Sequence, residues 1–402
     1  MVRRMKKLPI TIFTSETAPA FAGDGLNALL LAESLIKKGY SAQLICLNPN
    51  KLLPKSEVIN GVTIRRIAYH YKNKRGRLWL RVNMLLYILG AARKQGYWLI
   101  YGAMPANRLL VLTGWILGKK VFFRSTLYSF DDASTLISSK KNPVKAIYRF
   151  IYGRVAGYHA LNSVFAEAWR KTYNEIIPIF VSPQGTTIPY PAPNIQNRKN
   201  ARSELGLPPD PIIVLMVGHL ITRKGFPDIF EWLAKANCSF LLLHVGTIHA
   251  PESNIISIRN NEMRQNIVAG QNLLGERVKF MECSQRPSLY YYAADLLLLA
   301  SAAEGYPPNT LNEAMAAGLP ILSNRIAGST DYISDNHNGF LYTGFDEFIS
   351  RFSQLVSNQD IRQQLGNNAR LYAEKYLDVN PIAENLLKFM DESAARHSRH
   401  SH

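Results

Sequence analysis

The sequence predicts an α/β protein of two domains, each a parallel sheet covered by helices on both faces. Short apolar runs rich in Val, Ile, Leu and aromatics alternate with helical patterns along the chain. That alternation restarts after a proline-rich stretch at 188–200. The chain of 402 residues, 47% apolar and 19% charged, holds enough material for two cores, which excludes disorder and fibres.

The first-half strands are expected at Ile10–Thr14, Ala42–Leu47, Val62–Ala68, Leu99–Met104, Val121–Thr126, His159–Asn162 and Pro178–Ser182. The opening Met-Val-Arg-Arg-Met-Lys-Lys is basic, but only Leu8–Thr14 follows before Glu16, so this segment reads as a first strand and not a signal peptide. In Ile188-Pro-Tyr-Pro-Ala-Pro-Asn-Ile-Gln-Asn-Arg-Lys-Asn the prolines cannot continue a helix or inner strand, and the linker is placed there. Strands resume at Ile212–Gly218, Phe240–Gly246, Val278–Met281, Leu296–Ala300 and Pro320–Ser323. The expected domains are 1–190 and 191–375, with a C-terminal helix over 376–402 crossing back to the first and ending in a disordered tail.

Leu109–Gly118 and Val82–Ala92, the longest apolar stretches, fall short of the roughly 18 residues that span a bilayer. Cys46, Cys238 and Cys283 have unrelated spacings and form neither a disulfide framework nor a zinc site, which points to a reducing compartment. Charge divides the chain sharply. Residues 1–200 carry 30 Lys and Arg against 8 Asp and Glu, a net +22, whereas 201–402 carry 17 against 21. The first half therefore calls for an anionic partner: a membrane surface, nucleic acid or a polyanionic substrate. Basic residues cluster between Arg65 and Lys94, beside Trp79, Leu80, Leu85 and Leu86, as in an interfacial amphipathic helix or a solvated helix packed on its own domain.

Three segments carry chemistry. Val214-Leu-Met-Val-Gly218-His219-Leu-Ile-Thr-Arg223-Lys224-Gly225 runs from a buried strand through a loop into a helix. Amides at that helix start and the Lys224 ammonium would converge on a phosphate or diphosphate, with a hydrogen bond from His219. The alternative is an ordinary strand–helix turn with exposed basic residues. In Leu299–Pro320 a strand, a Gly/Pro loop bearing Glu304, and a helix starting near Asn309 or Thr310 follow in order. Glu304 can accept sugar hydroxyls, the amides of Asn309, Thr310 and Leu311 can receive a phosphate, and Glu313 can hold the two hydroxyls of a ribose. Thr310-x-x-Glu313 also reads as a capping box. The third segment, Phe21-Ala22-Gly23-Asp24-Gly25-Leu26, lets backbone approach a ligand at Gly23 and is not a dinucleotide fingerprint.

Together these residues resemble the retaining glycosyltransferases of the GT-B fold, specifically glycosyltransferase family 4. The likeness runs through Gly23 with Leu31-Ala32 to Gly39, Pro183-Gln184-Gly185, Gly218-His219-Leu220 to Lys224-Gly225, Tyr291 to Asp295, Glu304-Gly305-Tyr306, and Glu313-Ala-Met-Ala-Ala-Gly318. It departs in three places. Eight residues separate Glu304 from Glu313 where the family has seven, His219 stands for the usual arginine, and Phe123-Arg124-Ser125-Thr126 lacks the family's first-domain histidine. Arg124 or Asp131 is then a candidate for acceptor or donor contacts, with a structural salt bridge as the alternative.

The resemblance implies two Rossmann-like, doubly wound domains facing a central cleft. It also implies sugar transfer with retention from a nucleotide-diphosphate sugar to a glycan or lipid-linked acceptor, with no metal and no cofactor. Lys224, with Arg223 and His219, would neutralise the leaving diphosphate alongside Gly218 and the Asn309–Leu311 amides, while Glu304 positions the sugar and Glu313 the ribose. The acceptor would enter near Gly23, Arg124 and Asp131. A cytoplasmic protein, peripheral on the inner membrane face and not bound to nucleic acid, is the expectation. The alternatives are a non-catalytic nucleotide- or glycan-binding family member, a nucleic-acid-binding protein using the basic half, and a sugar-nucleotide epimerase of the same architecture.

Overall fold

Eight strands make the first sheet: β1 (Ile10–Phe13), β2 (Ala42–Pro49), β3 (Ser56–Ile59), β4 (Val62–Tyr69), β5 (Tyr97–Tyr101), β6 (Lys120–Arg124), β7 (Gly157–Ala160) and β8 (Ile179–Val181). Six make the second: β9 (Ile212–Val217), β10 (Phe240–Val245), β11 (Val278–Met281), β12 (Leu296–Leu299), β13 (Ile321–Asn324) and β14 (Phe340–Tyr342). The structure, a computed structural model, describes residues 8–19, 23–49, 53–69, 74–91, 96–187, 195–246, 254–283 and 286–399. It divides into two units, one formed by the chain to Gly185 and from Val379 onward, the other by Thr186–Asp378.

The first sheet is ordered β3-β4-β2-β1-β5-β6-β7-β8 and is parallel except for β3 against β4. That antiparallel hairpin was not expected, although Asn60-Gly61 signals it. Both residues take positive φ, 50° and 80°, as a two-residue hairpin turn requires. Alternate side chains sort into two layers. Phe13, Ile45, Ile100 and Phe123 face helices Lys74–Ala91, Asn107–Ile116, Val144–Tyr152 and Ser163–Tyr173. Ile12, Leu44, Leu99 and Phe122 face helices Gly23–Lys37 and Val379–Arg399. The last helix packs through Ala383, Leu386, Leu387 and Met390, and Asn380 accepts a 2.9 Å hydrogen bond from Ser34. Its helical turns continue through Arg399, so Ala394 is helical and buried.

The second sheet is fully parallel in the order β11-β10-β9-β12-β13-β14, the doubly wound arrangement whose connections reverse direction between β9 and β12. Ile213 and Leu215 face helices Asn309–Ala316 and Gln359–Tyr376, whereas Val214 and Met216 face helices Asp228–Ala234, Asn254–Leu274 and Phe345–Ser357. β14 went unforeseen because its three residues, Phe340-Leu-Tyr342, are too few to show a period. β5 lies two residues earlier than expected at its start and ends at Tyr101, and β7 begins at Gly157. Of the expected linker, 188–194 lies outside the described residues. The remainder starts helix Ile195–Glu204, anchored by Arg202 to Asp295 at 2.6 Å.

Among the described residues, no helix is long and apolar enough to cross a membrane, and no three His, Cys, Asp or Glu side chains gather as a metal site.

Candidate active site

The carboxyl ends of β9 and β12 are adjacent in the second sheet, at the switch point where open α/β sheets hold ligands. Both loops leaving these strands are pinned. After β9, Gly218 donates its amide to Val245, and residues Thr222–Lys224 form a single tight turn closed by Gly225. Thr222 donates from its amide and its hydroxyl to Glu262, at 2.7 and 2.6 Å, and Asn266 donates to the Leu220 carbonyl at 2.9 Å. After β12, the Ala302 amide donates to the Arg223 carbonyl at 2.8 Å, and Arg223 Nη1 returns a 2.8 Å bond to the Ala303 carbonyl. The two loops are thus stitched to each other.

This stitching brings Glu304 against Lys224 Nζ in an ion pair, with Arg223 Nη1 3.3 Å from the other carboxylate oxygen. Ser301 Oγ donates to Glu304 at 2.6 Å. Burial by itself would raise the Glu304 carboxyl, but the Lys224 and Arg223 charges and the Lys224 and Ser301 hydrogen bonds outweigh it and hold the group below its ordinary range. Glu304 is therefore an anion at neutral pH. Gly218, His219, Lys224, Phe226, His244 and Ser301 line a small cleft beside the pair. His244 was not singled out by sequence; its one signal is a histidine inside the apolar strand Phe240-Leu-Leu-Leu-His-Val. Burial pushes its imidazole down to about 3, so it is neutral there.

Two sequence expectations about amides need correction. The helix-start amides assigned to the Lys224 segment are consumed within the turn: Ile221 donates to His219, Lys224 to Ile221 and Gly225 to Thr222. A turn this tight closes on itself, so the groups left to meet an anion are chiefly the side chains of Lys224 and Arg223. At the helix Asn309–Ala316, the Leu311 amide donates to the Pro308 carbonyl at 3.0 Å, and the Leu311 side chain is fully buried in the core. The capping box is not formed. Pro308 takes the N-cap position without a side-chain cap, and Thr310 Oγ1 is buried with no hydrogen-bond partner among the described residues.

Glu313 pairs instead with the Tyr291 hydroxyl, which donates to it. Pro307 and Pro308 precede the helix that begins at Asn309, and Glu313 lies inside it. Burial raises the Glu313 carboxyl to about 7 against the Tyr291 hydrogen bond. In the folded chain the group stays protonated where the unfolded chain has ionised it, so unfolding releases a proton and stability falls as pH rises from about 4.5 to about 7. Because the side chain keeps some exposure, the effect is expected near ~2 kcal/mol and not at the fully buried limit. Urea unfolding at pH 5 and 7.5 is expected to show that loss in the native chain relative to Glu313→Gln; parallel curves would contradict it.

The remaining predicted residues belong to the first unit. Gly23 is the exposed first residue of helix Gly23–Lys37, and Asp24 beside it accepts 2.8 Å bonds from Thr14 and Ser15. The tightest approach is at Gly25, where a Cβ would collide with the Glu16 carbonyl. Arg124 is buried at the end of β6, donating to the Tyr101 hydroxyl at 2.8 Å and to Gln184 Oε1 at 3.0 Å. It makes no salt bridge with Asp131. Asp131 accepts the Thr126 and Leu127 amides and the Thr126 hydroxyl, and burial raises its carboxyl to about 6 despite those bonds. Its geometry is that of a loop-closing residue.

Comparison with known proteins bears on the second unit most directly. The family described as Glycosyl transferases group 1 matches residues 197–372. Spore coat protein SA of Bacillus subtilis (strain 168) is 26% identical over 219 residues, covering 49% of this chain and 52% of that protein. The D-inositol 3-phosphate glycosyltransferase of Acidothermus cellulolyticus is 28% identical over 205 residues, covering 49% and 44%. The chain spans about half the length of these curated relatives. Sucrose-phosphate synthase from Thermosynechococcus elongatus superposes with a TM-score of 0.77 at 17% identity, covering 97% of this chain and 100% of that one. At that identity the likeness shows the fold, which is of GT-B type.

Proposed function

Since residues 197–372 belong to the glycosyl transferases group 1 family, we propose that the chain is a retaining glycosyltransferase. In this reading it moves a sugar from a nucleotide-diphosphate donor to a glycan or lipid-linked acceptor without a resident metal, at an anionic membrane surface on the cytoplasmic side. The observation that carries the reading is the Lys224–Glu304–Arg223 cluster at the switch point of the second sheet. Anabaena HepE, 17% identical with a TM-score of 0.72 over 96% of this chain and 100% of that one, was solved with UDP and glucose, which supports the donor class.

Breaking the bond from the anomeric carbon to the diphosphate builds negative charge on the leaving group. Lys224 and Arg223 are the cations available to it, with a hydrogen bond from His219. Lys224 starts paired with Glu304, so donor binding exchanges partners: the ammonium moves to the diphosphate and the carboxylate turns to sugar hydroxyls. The same pair that is satisfied without ligand is then satisfied with it. Glu313, protonated below about pH 7, holds ribose hydroxyls beside Tyr291.

A thermal-shift panel of nucleoside diphosphates and nucleotide sugars tests the donor. A ligand at a hundredfold excess over its Kd adds about 2.7 kcal/mol, a shift of several degrees for one base and little for the others. No shift with any of them would overturn the proposal. His219 in place of the family's arginine favours one second reading, nucleotide binding without turnover. Hydrolysis of the shifting donor, detected as free sugar, separates the two.

A further inference from the structure

We propose that the outer side of one helical layer of the first unit, formed by helices Lys74–Ala91, Asn107–Ile116 and Val144–Tyr152, is the surface that docks on an anionic lipid bilayer. The inference rests on the lipid partner proposed above and adds its place on the fold. It is independent of the sugar chemistry.

All three helices cover the same face of the first sheet, turning Leu80, Met84, Ile88, Leu110, Val111 and Ile151 inward. Their outward sides should then be polar, as on an ordinary surface helix. They are not. On helix Lys74–Ala91, Leu78, Trp79, Val82, Leu85 and Leu86 lie on the side opposite the buried positions, with Trp79 59% exposed. Ile116 is 65% exposed at the end of the next helix, and Ile147 is 53% exposed on the third. Trp115 and Phe150 meet edge to face at 5.9 Å, and the Arg154 guanidinium lies over both rings, 4.7 and 4.1 Å from their centres.

Charge on this layer has one sign. Helices Lys74–Ala91, Asn107–Ile116 and Val144–Tyr152 contain no Asp or Glu and hold 4, 1 and 2 Lys and Arg. Arg81, Lys140, Lys141, Lys145 and Arg149 are exposed. An interface of large apolar side chains set among cations fits a bilayer, where the apolar groups enter the acyl boundary and the cations meet lipid phosphates. A nucleic-acid backbone would leave Leu78, Leu86, Ile116 and Ile147 in water, and a second copy would bring two cationic faces together.

The test is co-sedimentation of the full chain with vesicles of phosphatidylcholine alone and of phosphatidylcholine rich in phosphatidylglycerol, at low and high salt. Binding is expected to the anionic vesicles and to weaken with salt. Lys141→Glu/Lys145→Glu should lose about tenfold or more in affinity, since each basic residue near the surface is worth about 1 kcal/mol. Ile116→Ser/Ile147→Ser should lose about fivefold or more. These residues are exposed, and unchanged circular dichroism and melting confirm folding. Lys37→Glu/Lys388→Glu, the same charge change on exposed residues of the opposite layer, should leave binding within about twofold. Equal binding to neutral vesicles, or binding of nucleic acid or self-association in place of vesicle binding, overturns both the face and the lipid partner. Vesicle binding that the two face variants weaken no more than the control overturns the face alone.

Discussion

Replacing Lys224 by alanine is expected to lower turnover of the nucleotide-sugar donor by roughly 10²–10³-fold, the loss usual for one preorganised group facing a developing anion. The physical basis is the position of the ammonium at the carboxyl end of β9, against Glu304 and within reach of the cleft lined by Gly218, His219 and Ser301. Removing it has a second consequence. The Glu304 side chain is only 10% exposed and keeps only the longer contact to Arg223 and the Ser301 hydroxyl. Its carboxyl should therefore titrate at higher pH than in the native chain, and part of the loss should return as pH falls. Single-turnover donor hydrolysis across pH 5–8, with melting temperature recorded for each variant, checks both effects. A turnover within about threefold of the native value would remove Lys224 from the proposed chemistry. Lys224→Arg, which keeps the charge but not the point geometry, is expected to recover only part of the rate.

A large stability effect is expected at Gly225. Its φ of +90° lies in the region that side chains resist, and a Cβ there would fall within contact distance of the Ala300 carbonyl oxygen and 2.8 Å from the Ala300 Cβ. Ala300 follows β12, so the turn after β9 is pressed directly against the neighbouring strand end. Gly225→Ala should cost about 3–5 kcal/mol, adding the backbone term to a steric conflict that only a shift of the two loops relieves. Gly275→Ala is the internal control. It shares a positive φ of +55° in the same unit but has nothing within 4 Å of the added carbon, so it should cost only about 1–2 kcal/mol. Urea unfolding of the three chains measures the difference. Equal costs would mean that the close approach to Ala300 contributes nothing. Because a shift of the loops would also separate Arg223 and Lys224 from Glu304, the Gly225 variant should bind its nucleotide more weakly than the Gly275 variant does.

Most strands were legible because burial on both faces leaves a continuous apolar run bounded by polar or glycine residues, as at Ile212–Val217 and Leu296–Leu299. The hairpin at Asn60-Gly61 carries an equally visible turn signal, and its antiparallel β3–β4 pairing departs from the parallel order expected of the rest of the sheet. The pairing of Lys224 with Glu304 was not legible as a contact. Each residue could be named as a candidate from its own loop, and the ordering of β9 beside β12 is what joins them across 80 residues.

Local chemistry along the chain determined where strands and helices form, which loops carry ionisable groups, and that the first half is cationic, because periodicity and charge are properties of neighbouring residues. The folded arrangement alone decided which of those groups meet. It gave Lys224 a carboxylate partner, spent the amides of the Lys224 turn on its own closure, and set Tyr291 on Glu313 in place of a helix cap. It also turned Trp79, Ile116 and Ile147 outward on one layer, a choice fixed by which side of each helix the sheet beneath it buries.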